Sequence, residues 1–157
     1  MDRVTPGQLT PGRVAFAVVA VLVFIVDRVT KGLVVAYVPS GTEVRALPFV
    51  WITNAQNSGA AFSIAPNATP FFLLASIAVA GGLIWYVART PVHMVTAVLL
   101  GLVLGGTLGN GYDRLVHGTV TDFVALHFWP VFNMADAAIS VGVVLLLLWY
   151  LLRQRPD

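Results

Sequence analysis

The longest uncharged stretches of this chain decide most of what it can become. Pro70 to Ala88 and Met94 to Tyr112 each run 19 residues without Asp, Glu, Lys or Arg. A bilayer core about 30 Å thick takes roughly 20 apolar residues as a helix. Both stretches therefore predict membrane-spanning helices. Pro70 suits a first helical turn, where a missing N–H costs nothing. Ala137 to Leu152 adds 16 uncharged residues, and the pattern extends back across Asp136 to Phe132. The first apolar run, Val14 to Val26, stops at Asp27 and resumes after Lys31. Read as one helix, 14–38 is about 37 Å long at 1.5 Å per residue, enough to cross with its charges toward one end. Spans are expected at about 14–38, 70–88, 94–112 and 132–152, in a single membrane domain over 1–157.

Composition excludes the main alternatives. Charged residues make up 10% of the chain, against about 25% in an average soluble domain. So few charges cannot cover the surface of a small cytosolic protein, and a chain this apolar is not disordered. The net charge of +2 comes without any Lys/Arg run, so there is no electrostatic footprint for nucleic acid. The absence of Cys excludes disulfides, thiol nucleophiles and thiolate metal sites. Arg3 and Arg13 precede the first apolar run, as in a cleavable leader, but no small-x-small site follows it, so a retained span is expected. No internal repeat of the transporter kind is present.

Four spans put both termini on one side. Arg3, Arg13, Arg89, Arg153 and Arg155 flank the ends on that side; with Arg28 and Lys31 set aside because they lie within the first span, only Arg45 and Arg114 fall opposite, which places both termini in the cytoplasm. Residues 39–69 and 113–131 are then outside. Val44 to Thr53, rich in Val, Ile, Phe and Trp, reads as a short strand or two at the interface. Trp51, Phe62, Phe128 and Trp129 suit a headgroup belt. The expected fold class is an all-α integral membrane protein of four transmembrane helices, both termini cytoplasmic, with a small β-containing extracytoplasmic segment over 39–69.

Five of the seven acidic residues lie toward the outer half: Asp27, Glu43, Asp113, Asp122 and Asp136. Glu43 reads as a solvated loop charge. Ionisable groups at membrane depth are costly and usually functional. Asp27 and Lys31 are spaced i,i+4 with the acid first, the favourable order for an ion pair. They either neutralise each other or hold neighbouring helices or a lipid substrate. Asn110, Asp113 and Arg114 share a helix face. The Asp–Arg pair alone fits an interfacial anchor, whereas a buried Asn110 amide needs polar partners. Asn133 resembles an N-cap with Asp136 at the third helical position, where the dipole favours a negative charge. Asp122 lies among Val120, Thr121, Phe123 and Val124, either as a strand-edge charge or as part of a site. Asp122 and Asp136 at one boundary of a small bundle suggest a carboxylate dyad. Like charges held close cannot both ionise easily, and one retained proton serves acid–base activation of water.

Other polar residues carry less. His93 reads as a helix-end residue. His117 and His127 flank Asp122, but no His-Glu-x-x-His spacing supports a metal site. Gly101, Gly105 and Gly109 form small-xxx-small steps for helix packing. Ser58, Ser63 and Ser140 lack a nucleophile-elbow context.

At this point the chain resembles the lipoprotein signal peptidase (signal peptidase II) family from about residue 14 to 152. Asp27-Arg28-Val29-Thr30-Lys31 matches that family's Asp-x-x-Thr-Lys box. Asn57-Ser58-Gly59-Ala60-Ala61-Phe62 is similar to its Asn-x-Gly-Ala-Ala-Phe box. The run Gly105 to Arg114 matches Gly-Gly-x-x-Gly-Asn-x-x-Asp-Arg. Val120-Thr121-Asp122-Phe123 matches Val-x-Asp-Phe, and Phe132 to Ile139 matches Phe-Asn-x-Ala-Asp-x-x-Ile. Five boxes in order on a four-span frame form a specific signature, with a short link from Asp122 to Asn133.

The resemblance implies an aspartic endopeptidase that cuts the signal peptide from a prolipoprotein, just before a Cys carrying diacylglycerol. It implies catalytic roles for Asp122 and Asp136, and substrate binding by Asn57, Gly59, Asn110, Arg114, Asn133 and Ala135. It implies supporting roles for Asp27, Lys31 and Gly106, and a structural Asp113 paired with arginine. No cofactor or metal is implied. The expected partners are the diacylglyceryl-prolipoprotein and membrane lipid, with no nucleic acid, and the chain is expected to act as a monomer. The implied location is the bacterial cytoplasmic (inner) membrane, with the site on its outer side. Two other classes compete: a small transporter or proton channel using Asp27, Asp113 and Asp136 as relays, and a non-enzymatic membrane assembly factor.

Overall fold

In the computed structural model of the protein, residues 9–59 and 68–153 are described. Arg3, Arg155, Ala60, Ala61, Phe62 and Ser63 lie outside the described residues. The elements run α1 (Pro11–Tyr37), β1 (Glu43–Leu47), β2 (Val50–Asn57), α2 (Thr69–Arg89), α3 (Met94–His117), β3 (Val120–Ala125) and α4 (Met134–Arg153).

Among the described residues, three helices are long and apolar enough to cross a membrane: α2, α3 and α4. The charges of Asp27, Arg28 and Lys31 set α1 apart, although at 27 residues it is the longest of the four. Central to the bundle is α3, which packs on α1, α4 and α2 and is buried over most of its length. By contrast, α2 and α4 turn most of their surface outward, including Leu74, Ile77, Leu147 and Leu151. Adjacent glycines let α3 approach two helices at once. A Cβ on Gly105 would lie 2.6 Å from the Ala20 carbonyl oxygen of α1, and one on Gly106 would strike the Ala135 carbonyl of α4. Backbones this close need small residues at the crossing. At the opposite end from the sheet, Arg13 Nε and Nη2 donate to the Val87 and Ala88 carbonyls at 3.1 and 2.6 Å, closing the C-terminus of α2.

The sheet is antiparallel in the order β1-β2-β3. Val44 pairs with Ile52 across the first ladder, while Ala55 pairs with Asp122 and Asn57 with Val120 across the second. A bridge from Val124 to Phe132 then returns the chain to the start of α4. The expected strand or two over Val44 to Thr53 are the hairpin of β1 and β2, and β2 runs further, to Asn57.

Three boundaries differ from the uncharged stretches. The third helix continues from residue 112 to His117, because Asp113 finds partners inside the bundle and Arg114 lies along the cavity. The fourth begins at Met134 rather than 132, because Phe132 is held in the bridge to β3. Thr69, placed in the outer segment by the sequence, belongs to α2.

Candidate active site

The C-terminal parts of α1 and α3, the N-terminus of α4, and strands β2 and β3 meet at one end of the bundle. Asn133 forms the joint. Its Oδ1 accepts the Asp136 N–H at 3.0 Å, and Asp136 Oδ2 accepts the Asn133 N–H at 3.2 Å. This reciprocal cap is what the Asn133–Asp136 spacing predicts. The Nδ2 of Asn133 then donates to Asp122 Oδ1 at 2.6 Å and to Asn110 Oδ1 at 3.2 Å.

Three asparagines hold the two carboxylates, and donors on their far sides set how each amide faces. Lys31 Nζ, a pure donor, lies 2.9 Å from Asn110 Oδ1, so Asn110 Nδ2 turns to Asp136 Oδ1 at 2.7 Å. The Gly59 N–H donates to Asn57 Oδ1 at 2.9 Å, so Asn57 Nδ2 turns to Asp122 Oδ2 at 2.9 Å. The Asp136 N–H fixes Asn133 in the same way.

Both carboxylates face a cavity of about 240 Å³. Its polar wall is Asn57, Gly59, Asn110, Arg114, Asp122 and Asp136, with Ser140 beside them; Val120, Trp129 to Phe132 and Ile139 form the apolar wall. Burial pushes the Asp122 carboxyl up to about 6; the Asn57 hydrogen bond opposes the rise and the nearby Asp136 charge adds to it. Among the described residues, no cationic side chain forms an ion pair with Asp122 or Asp136. Arg114 approaches along the wall, where its guanidinium faces the Gly59 and Asn110 carbonyls at 3.5 and 3.4 Å and lies over Phe72. Two neighbouring carboxylates without a counterion can share one proton, which equips them to move protons to and from water.

A second layer lies behind this wall. Lys31 Nζ stands 3.0 Å from Asp27 Oδ2 and 2.8 Å from Asp113 Oδ2. Arg28 pairs with both aspartates. Asp27 Oδ1 also accepts the Ala135 N–H at 3.1 Å.

The expected i,i+4 pair of Asp27 and Lys31 is present, and Asp113 is paired with an arginine, but with Arg28 rather than its neighbour Arg114. Asp113 and Arg114 in fact face different ways, one into the bundle and the other along the cavity. Ala135 and Asn133 are fully buried and lie beneath the cavity wall rather than in it, and Gly106 packs under Ala135. Residue spacing assigns Arg28 no role. An arginine next to Asp27 inside an apolar helix was the available signal. His127 pairs with Glu43 at 3.0 Å and stacks on Trp51, and His117 lies against Tyr112. Neither histidine reaches the cavity.

Solved structures extend this description. One bacterial membrane enzyme, determined by the in meso method at 2.3 Å resolution, superposes with a TM-score of 0.83 at 28% identity, over 90% of this chain and 92% of its own. A second, at 1.9 Å resolution, gives 0.81 at 29% identity over 97% and 100%. The fold and its polar pocket thus define a multi-pass membrane enzyme. Residues 19–152 match the family model described as signal peptidase (SPase) II. A lipoprotein signal peptidase of Desulfitobacterium hafniense is 41% identical over 87% of this chain and 92% of its own length. One from Pseudomonas aeruginosa is 38% identical over 87% and 88%. The chain belongs to the signal peptidase II family and is a peptidase.

Proposed function

We propose that this chain removes signal peptides from diacylglyceryl-modified bacterial prolipoproteins, cutting before the lipidated Cys with water activated by Asp122 and Asp136. The observation that carries the reading is the pair itself: two carboxylates at one cavity, each held by asparagine amides and neither by a cation. The names of the relatives support the substrate class.

In this reading α1 is a fourth span. Its charges are cancelled inside the bundle by Asp113, which lowers the cost of carrying them across lipid. Both termini are cytoplasmic, and Arg13, Arg89 and Arg153 mark that side. The cavity opens toward the outer face of the cytoplasmic membrane. One chain supplies every group that the chemistry uses, so a monomer suffices.

The reaction runs through one shared proton. Asp136, at a helix N-terminus, starts ionised and takes a proton from water as its oxygen attacks the scissile carbonyl. Asp122 starts protonated and donates to the carbonyl oxygen. The tetrahedral intermediate collapses as Asp136 gives its proton to the leaving amine and Asp122 takes one back from a gem-diol hydroxyl, giving a free acid and a free amine. Arg114 holds a substrate carbonyl through its planar fork. Asn57, Asn110 and Asn133 keep the carboxylates aimed, and the diacylglyceryl chains stay in apolar surroundings beside the helices.

The test is a gel-shift cleavage assay in detergent. The diacylglyceryl-modified precursor is the substrate; the unmodified precursor and the Asp122→Asn protein are controls. Cleavage of the lipidated precursor alone, lost in the variant and indifferent to chelator, is expected. Failure of folded wild-type protein to cleave overturns the reading.

A further inference from the structure

Arg28 is the charged residue of the polar core for which the proposed reaction has no use. Its Nη1 donates to Asp113 Oδ1, and its Nη2 donates to Asp27 Oδ2 at 2.8 Å. The guanidinium lies 4.9 Å from the Tyr112 ring centroid and 6.0 Å from that of Phe24. Behind the cavity, Asp27 and Asp113 bring two negative charges and Lys31 one positive. Only Arg28 brings the layer to zero. Lys31 is shared among Asp27, Asp113 and Asn110 Oδ1, and Asn110 in turn holds Asp136.

We propose that Arg28 is a positioning residue: it neutralises the layer behind the carboxylate pair, leaves Lys31 free to hold Asn110, and thereby sets the pH range of catalysis. The inference rests on the acid-pair reading of the site.

Without Arg28, two aspartates compete for one ammonium, and the layer carries a net negative charge. Among the described residues, no other cation near the pair replaces it. Facing the carboxylates are Arg114 from α3, Lys31 and Asp27 from α1, and the two carboxylates themselves. The sheet contributes only the neutral Asn57, because Glu43 is engaged by His127 at the sheet edge. The single charge of α2 is Arg89, at its far end. A negative charge added in a buried layer raises the proton affinity of the pair. One charge across a layer of side chains moves a titration by about half a pH unit or more.

The test is the pH profile of kcat/KM for the purified full chain in detergent, acting on the diacylglyceryl-modified prolipoprotein. Arg28→Gln is expected to move the profile up by about half a unit, and Asp113→Asn to move it down by a similar amount. Arg28→Lys is expected to leave it in place. The double variant Arg28→Gln/Asp113→Asn, which restores neutrality, is expected to return it to the wild-type position. Profiles unmoved in the single variants, or moved in the same direction, overturn the proposal, as does a double variant displaced as far as Arg28→Gln. The two single variants carry opposite signs, so either decides the matter if the other does not fold. Cleavage retained by Asp122→Asn or Asp136→Asn sinks the acid-pair reading itself. Those variants dead with unmoved Arg28→Gln and Asp113→Asn profiles sink only the role of Arg28.

Discussion

Four aspartates gather at the same end of the helices, and what faces them divides them into two pairs. Asp27 and Asp113 meet Lys31 and Arg28. Asp122 and Asp136 meet Asn57, Asn110 and Asn133. An ammonium or guanidinium cancels a carboxylate's charge and binds layers together. An amide satisfies the oxygens while leaving the charge uncancelled, so the group can still gain and lose a proton. The same side chain becomes structure in one layer and chemistry in the next, according to whether its neighbour is a cation or an amide.

Exchanging the acids of the front pair gives the sharpest contrast. Asp122→Asn and Asp136→Asn are each expected to lower cleavage by about 10³-fold, with no fall in the unfolding midpoint. An unfolding midpoint that falls along with activity would merge the two layers into one structural unit. Next in size is the rear layer. Lys31→Met leaves Asp27 and Asp113 with a single cation, and is expected to cost about 3–5 kcal/mol of stability, as for breaking a buried pair. Unfolding in detergent, followed by tryptophan fluorescence, reads this directly. A stable Lys31→Met protein that has lost only activity would move Lys31 into the front layer.

The acidity of Asp122 gives the next contrast. The folded-state pKa of Asp122, about 6, lies above its ordinary value of 3.8, so the folded protein holds that proton more tightly than the unfolded chain does. The resulting stabilisation is complete below the ordinary value and is lost as pH rises through about 6. Asp122→Asn is therefore expected to gain on wild type by on the order of 2–3 kcal/mol between pH 4 and 7, measured as the difference in unfolding midpoints. A constant difference across that range would show that Asp122 does not titrate there. The smallest effect belongs to the exposed pair of Glu43 and His127. Glu43→Gln is expected to change stability by less than about 1 kcal/mol, and a larger loss in the same unfolding assay would mean that the sheet edge supports the cavity.

Much of this was legible because spacing carries it. The Asp27–Lys31 pair follows from one helical turn. The Asn133–Asp136 cap follows from one turn after a proline. The spans follow from runs without charge. Contacts between elements distant in the chain were not legible. Nothing local pairs Arg28 with Asp113, 85 residues away, so the third helix looked finished at Tyr112 when it continues to His117. In the same way, β3 takes its identity from β2 through the Ala55–Asp122 register, and its own six residues do not reveal that partner. A role for Asn110 follows from residue type and one for Asn57 only from the family box, but the orientation of each amide depends on its donors, Lys31 for Asn110 and the Gly59 N–H for Asn57.

The double duty of Asn133 has a consequence for biogenesis. The side chain that begins the fourth helix also grips Asp122, and the other acid of the pair lies three residues further on. A nascent chain whose first three helices are in place thus holds one acid of the pair and lacks the other. On the acid-pair reading, the site is therefore incomplete until α4 takes its place beside β3.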